Sequence, residues 1–430
     1  MTPRPWDVVV AGGGPAGLAA AIALGRQGVR VLVIERSTWP RDKVCGEGLM
    51  PVGVESLKRL DVFQRIDPSH LRPFQGIRWI SEDGTTAETD FASGPGFGIR
   101  RTALSRALFE AASSLPSVQL WPSTLLMKME QRDDCVVLGL RRYGANESVR
   151  ARLVIGADGR NSKVRRLAEL DGTPAVAMQR WGARQHFDVR PWTQHVEVWW
   201  SNGMEAYVTP SGPRQVEVAF LWDKSKFTPT RKGRELVTGL LDEFPQLRAK
   251  LGRQLPAALS KAAGIGPLAL GASSPVADRV VLIGDALGYV DGITGEGISV
   301  ALSQVEALER TLPPLLRSDN LSATDLKASG SAVQVLFKET VPLIKAALTL
   351  SRFPALRRLA IRGLRNASEL FTHLLEANMG RQPLYRLPWR GVLQFLWGAL
   401  RPSRSPRSLL PGPTSPERAL PTLQGMVDAK

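Results

Sequence analysis

The sequence predicts an α/β protein: a parallel sheet interrupted by an inserted antiparallel β-sheet substrate domain and followed by a C-terminal helical region. Three observations carry this. An apolar run, Val8-Val9-Val10, breaks into Gly12-Gly13-Gly14-Pro15-Ala16-Gly17 before a helix-forming stretch from Leu18 to Leu24. Two later apolar strands, Leu153-Val154-Ile155 and Val280-Val281-Leu282-Ile283, deliver Asp158-Gly159 and Gly284-Asp285 at their ends. Between them lie strand-like runs rich in aromatic and β-branched residues.

The first segment has the strand, glycine turn and helix of a dinucleotide fingerprint. Gly12 permits the tight turn, Gly14 lets the backbone approach a pyrophosphate, and Gly17 allows close packing of helix on strand, with Ala16 in the first helical turn. A second strand, Val31 to Ile34, ends in Glu35 and Arg36. The Glu35 carboxylate suits ribose hydroxyls and favours an adenosine without a 2′-phosphate. A secretory segment is disfavoured, because Asp7 precedes the run and the Gly-Gly-Gly-Pro break spoils a membrane helix.

Residues 72–98 read as a short β excursion, with strands Gly76 to Ile80 and Thr85 to Phe91 around a turn at Asp83-Gly84. The chain then returns to a helix that begins at Arg101, a residue a solvated helix start would also explain. Arg184 to Val189, Val196 to Trp200, Ala206 to Thr209 and Gln215 to Trp222 read as the antiparallel sheet. After Gly284-Asp285 a loop leads to Gly295-Glu296-Gly297-Ile298 and a helix carrying Ala301, Leu302, Val305 and Leu308. There Asp285 suits ribityl hydroxyls, and the N–H groups near Gly295 to Gly297 suit an electron-rich pyrimidine ring. The three segments together specify a site for a flavin dinucleotide, FAD, on a Rossmann-type domain. The domain divisions that follow are 1–71, 99–175 and 266–325 for FAD, 72–98 and 176–265 for the substrate sheet, 326–401 for the helical region, and a disordered Pro- and Ser-rich tail over 402–430.

The 430 residues, 43% hydrophobic and 22% charged, suffice for one large or two medium domains. Two cysteines, Cys45 and Cys135, make no disulfide framework, and neither they nor the four histidines have metal-ligand spacing. A reducing cytoplasm is the expectation. The net charge of +16 comes without a nucleic-acid recognition motif. Much of it lies between Thr340 and Arg407, where twelve basic residues face two acidic ones among apolar residues at helical spacing. Such a segment is either a helical cap packed on the body, its arginines in water, or a surface for peripheral contact with an anionic membrane.

The three segments, above all Gly284-Asp285-Ala286-Leu287-Gly288 through Thr294-Gly295-Glu296-Gly297-Ile298, resemble the FAD-dependent geranylgeranyl-reductase-like branch of the para-hydroxybenzoate-hydroxylase-type flavoproteins, to about Leu308. Lys43-Val44-Cys45-Gly46-Glu47-Gly48-Leu49 stands where that branch has its Cys-Gly pair. Tyr207-Val208-Thr209-Pro210 stands where it has an aromatic-rich motif ending in proline. The resemblance implies that Arg101 and Asp158 also contact the flavin. Leu287-Gly288 replaces the histidine usual in the hydroxylases, and the halogenase Trp-x-Trp-x-Ile-Pro signature is absent.

Two chemistries follow from the resemblance. A monooxygenase driven by NADH or NADPH would hydroxylate or epoxidise a lipophilic aromatic or prenylated metabolite with O2, through a C4a-hydroperoxyflavin. A reductase would saturate an isoprenoid C=C bond, with Cys45 or Tyr207 as proton donor. Cys45 is equally readable as a small buried hydrophobe, and Glu47 either orients a substrate hydroxyl or caps the following helix. Oxygenation is favoured because the aromatic motif is eroded. A dehydrogenase feeding a quinone is the third class. The aromatic set Trp181, Trp199, Trp200, Tyr207, Phe220 and Trp222 points to a hydrophobic substrate.

Overall fold

Strand Trp6–Ala11 runs parallel to Val31–Ile34 on one side and to Ala145–Gly156 on the other in the computed structural model, which describes residues 4–401 apart from Met178 and Arg253. The tail expected from 402 lies outside the described residues. Val118–Trp121 and Val280–Leu282 extend the sheet, again in parallel. Val8, Val9, Val10, Leu32 and Val154 are fully buried, as unbroken apolar strands require when both faces are covered. Helix Pro15–Arg26 packs against both Arg101–Ser113 and Gly297–Ser318 over this core. The parallel arrangement brings four carboxyl ends to one edge, where Gly12, Glu35, Ala157 and Gly284 follow their strands. Open α/β sheets place ligands at that edge.

The second sheet joins two insertions. Among the described residues its strands run in the order Ala263–Ile265, Arg180–Phe187, Gln215–Asp223, Met204–Gly212, His195–Ser201, Gly76–Ile80 and Thr86–Asp90. One pairing departs from the antiparallel expectation: His195–Ser201 lies parallel to Gly76–Ile80. The two strands belong to separate excursions from the FAD-binding domain and enter the sheet from the same end, so the sheet is mixed. Alternation then sorts its aromatics, Trp199 and Trp222 packing with Phe244 and Leu247 on one face while Trp200 packs on the other.

Helices Lys327–Arg352, Pro354–Arg365, Ser368–Asn378 and Trp389–Leu400 follow, and the chain to Leu400 forms one compact body. They do cap the sheet, with Phe371 against Trp79 at 5.1 Å between ring centroids. The arginines do not all stay in water: Arg357 is fully buried, paired with Glu82 and donating to the Ser351 carbonyl. No helix among the described residues is long and apolar enough to cross a membrane.

Candidate functional site

Gly12 adopts φ +106°, a conformation that favours glycine, and a Cβ there would collide with the Ala157 backbone. Gly17 packs as tightly against the Gly12 carbonyl, which holds helix against strand. Gly14, at the helix N-cap, has open space where its Cβ would be, and the helix has neither a side-chain cap nor an acidic residue in its first turn. Its amino end is left for an anion. Glu35 points into the loop: its carboxylate accepts from Gly13 N (2.7 Å) and Ser37 N (2.9 Å) and pairs with Arg41 at 2.7 Å. Arg36 and Arg41, with Gly14 and Ala16, line the cavity at this point.

Cys45 and Gly46 line the same cavity, and burial pushes the Cys45 thiol up despite the opposing charges of Arg101 and Lys43. Glu47 faces the other way. Its Oε1 accepts from Arg101 N at 2.8 Å, so it caps the Arg101–Ser113 helix rather than the helix that follows it. Its Oε2 lies 2.8 Å from His186 Nε2, and its N–H donates to Glu217 Oε2 at 2.8 Å. Glu47, His186 and Glu217 form a buried cluster of potential metal ligands that sequence spacing did not reveal. The surrounding groups disfavour a cation. Arg184 lies 3.8 Å from Glu217 Oε1 and 3.1 Å from His186 Nδ1, which makes Nδ1 an acceptor and leaves the proton on Nε2. Burial lowers the His186 pKa and raises that of Glu217 well above the carboxylate range, so these two favour their neutral forms. It is a buttress that ties the Cys45 segment to the sheet.

Asp158 accepts from Ser162 Oγ (2.5 Å) and Lys163 N (2.6 Å), anchoring the short helix Lys163–Leu167, while Asp158 and Gly159 line the cavity. Arg101 is 8% exposed, lines the cavity, and keeps Nη1 buried without a hydrogen-bond partner. Gly284 and Asp285 stand opposite. Lys43 Nζ donates to Asp285 at 2.9 Å, and although burial raises the Asp285 pKa, Lys43, Arg101 and Arg160 together hold it below the usual range.

Gly295, Glu296, Gly297 and Ile298 complete this wall. Glu296 is 5% exposed, and burial pushes its carboxyl up to about 8, even though Asn378 Nδ2 donates to it at 2.8 Å. Burial thus favours its protonated form, and the residue lines the cavity. Tyr207 also lines the cavity, but its hydroxyl donates to the Ile293 carbonyl at 2.8 Å and burial raises its pKa well above the ordinary value. Beneath the loop sits Arg180, unremarked in the sequence, whose Nε donates to Asp291 (3.0 Å), whose Nη2 pairs with Glu205, and whose Nη1 donates to Ser351 Oγ (3.2 Å). Flavin loop, sheet and C-terminal helix meet on this guanidinium. The available signal was a charged residue within an otherwise buried strand pattern, as at Arg180, Glu205 and Glu217.

One cavity of about 690 Å³ joins these elements. From the glycine loop it passes Cys45 and the Gly295–Ile298 loop, then continues between Trp79, Trp200, Tyr207, Phe371, Leu375 and Phe395. The polar end fits FAD: a helix amino end without a cap, cations at Arg36, Arg41 and Lys43, and the unpartnered Arg101 Nη1. The family model for the FAD binding domain matches residues 5–324. The chain belongs to this FAD-binding family.

As a member it is an FAD-dependent oxidoreductase, and its relatives include hydroxylases and reductases. It is 28% identical over 340 residues to the 3-demethoxyubiquinol 3-hydroxylase of Escherichia coli K12, covering 72% of this chain and 80% of that one. It is 27% identical over 340 residues to a digeranylgeranylglycerophospholipid reductase of Methanocella arvoryzae, covering 76% and 83%. A flavoprotein/dehydrogenase structure from Cytophaga hutchinsonii has the same fold, with TM-score 0.77 at 17% identity over 92% of this chain and all of that one.

Proposed function

We propose that this flavoprotein is an NAD(P)H-driven monooxygenase that hydroxylates or epoxidises a lipophilic aromatic or prenylated metabolite. The observation that supports it is the continuity of the cavity, which leaves the Gly295–Ile298 loop and becomes walled by aromatic and aliphatic side chains. The balance is substrate, O2, NAD(P)H and one proton in, oxygenated substrate, NAD(P)+ and water out. Bound FAD would supply the two-electron chemistry and, when reduced, the means to activate dioxygen.

The protein's own groups orient and shield. Arg36, Arg41 and the Gly14 helix end would hold the phosphates, Arg101 and Asp285 would fix the ribityl and ring region, and the amino end of Gly297–Ser318 would stabilise negative charge on the pyrimidine side. Trp79, in ring contact with both Trp200 and Phe371, would help exclude water from the substrate's reacting carbon.

Glu296 favours a second reading, reduction of an isoprenoid C=C bond. A neutral buried carboxyl beside the flavin loop can give its proton to one alkene carbon as the other receives hydride, and regain it from solvent. The test supplies a prenylated phenol, NAD(P)H and isotopically labelled dioxygen to the holoprotein. Labelled oxygen in the product supports oxygenation. A product richer by two hydrogens, formed equally well without oxygen, replaces it with alkene reduction. NAD(P)H oxidation without either product overturns both.

A further inference from the structure

The Trp389–Leu400 helix is apolar on its outer as well as its inner face. Trp389, Leu393, Leu396 and Leu400 recur at helical spacing along one stripe, and they are 67%, 58%, 51% and 82% exposed. The positions it buries are Gly391 and Gly398. A Cβ at Gly391 would press on Leu370 at 3.0 Å, and one at Gly398 would meet Asn366 Nδ2 at 2.5 Å. Small residues therefore bring this helix close to its neighbours and Val392 and Phe395 pack inward, yet a second apolar stripe faces outward, which a helix folded for water would not carry. The adjoining Pro354–Arg365 helix adds exposed Leu356 and Leu359.

Basic residues predominate around this stripe. Arg352, Arg365, Arg386 and Arg390 are exposed, and no acidic residue occurs from Ala377 to Arg401. A second copy on the same face would set arginine against arginine. Phosphate headgroups complement both features, because arginine binds them while the stripe enters the acyl boundary. Twelve residues rise about 18 Å, short of the ~30 Å hydrocarbon core, so this helix lies in the interface rather than spanning it.

The cavity reaches the same face. Leu350, Ala360, Leu364 and Phe395 wall its apolar end, and Leu387, which also lines it, is 44% exposed beside Trp389. We propose that the Pro354–Arg365 and Trp389–Leu400 helices dock the protein on an anionic phospholipid bilayer, with the cavity opening at Leu387 turned toward the lipid, so that a lipophilic substrate reaches the flavin site without crossing water. The docking stands on the surface alone, whereas the route of access rests on the proposed substrate class.

Full-length holoprotein is sedimented with vesicles of phosphatidylcholine alone or mixed with phosphatidylglycerol. It binds the anionic vesicles about tenfold or more tightly than the neutral ones, and high salt releases it. Leu393→Ser with Leu396→Ser, and separately Arg386→Glu with Arg390→Glu, cost about tenfold in binding while flavin content and melting temperature stay at wild-type values. Equal binding to both vesicle types, wild-type binding by either variant, or a dimer that the variants dissociate while no vesicle is bound overturns the proposal. With a vesicle-embedded prenylated phenol the variants turn over more slowly, yet they match wild type on a short soluble analogue; equal rates on the embedded substrate overturn the access route. If neither substrate reacts in any form of the protein, the proposed chemistry fails while sedimentation still decides the docking.

Discussion

The two ends of the cavity are made in different ways. The nucleotide end is assembled from backbone at four neighbouring strand ends and from cations, with Gly14 leaving room rather than filling it. The far end is assembled from side-chain bulk contributed by the inserted sheet and by helices near the end of the described chain. The nucleotide end is therefore shaped by the backbone, whereas the shape of the far end depends on the side chains that line it.

Arg180 joins the two ends, so its loss has the largest expected effect. Arg180→Met leaves Glu205 and Asp291 buried without their partner and costs ~3–5 kcal/mol, read from urea unfolding of the holoprotein. Glu205→Met in the same chain recovers part of that loss.

Glu296→Gln tests the buried acid on the boundary. The folded protein holds the Glu296 proton to about 8, so its contribution to stability is full below the unfolded carboxyl pKa and is lost as pH rises through that range. Relative to the Gln variant, wild type loses about 3 kcal/mol between about pH 5 and about pH 8. A parallel pH dependence in the two proteins contradicts the assignment.

Gly14→Val separates cofactor from fold, because its side chain meets open space in the protein. Melting of the apoprotein stays at the wild-type value while FAD affinity falls by ~100-fold, about 2.8 kcal/mol, measured by flavin absorbance after gel filtration. At the opposite end Leu375→Trp shortens the apolar wall. It leaves flavin content unchanged and weakens long-chain ligands by ~10-fold, about 1.4 kcal/mol, while short analogues bind as before.

The nucleotide end was legible because its information is local: Val8–Val10 and the glycines after it fix strand, turn and helix within a dozen or so residues. Glu47 was not legible, because what decides its role lies 54 residues away at Arg101 and 170 residues away at Glu217. From sequence it was a candidate to orient substrate or to cap the next helix, and the fold uses it to cap another helix and brace the sheet. Glu35 shows the same limit, since the loop claims its carboxylate through Gly13, Ser37 and Arg41. The parallel pairing of His195–Ser201 with Gly76–Ile80 escaped alternation altogether, because residue patterning gives the period of a strand and not the direction of its neighbour. The basic C-terminal region was visible as composition, whereas the packing of the Trp389–Leu400 helix required the glycine contacts at Gly391 and Gly398.

That parallel pairing also orders events during synthesis. When the hairpin of Gly76–Ile80 and Thr86–Asp90 leaves the ribosome, the strand that completes its inner edge is still more than a hundred codons from translation. Strand Val280–Leu282 of the first sheet comes later again. The nascent chain must carry an open strand edge until residue 195 appears, and closure of the long loop between them sets a slow, aggregation-exposed stage in its maturation.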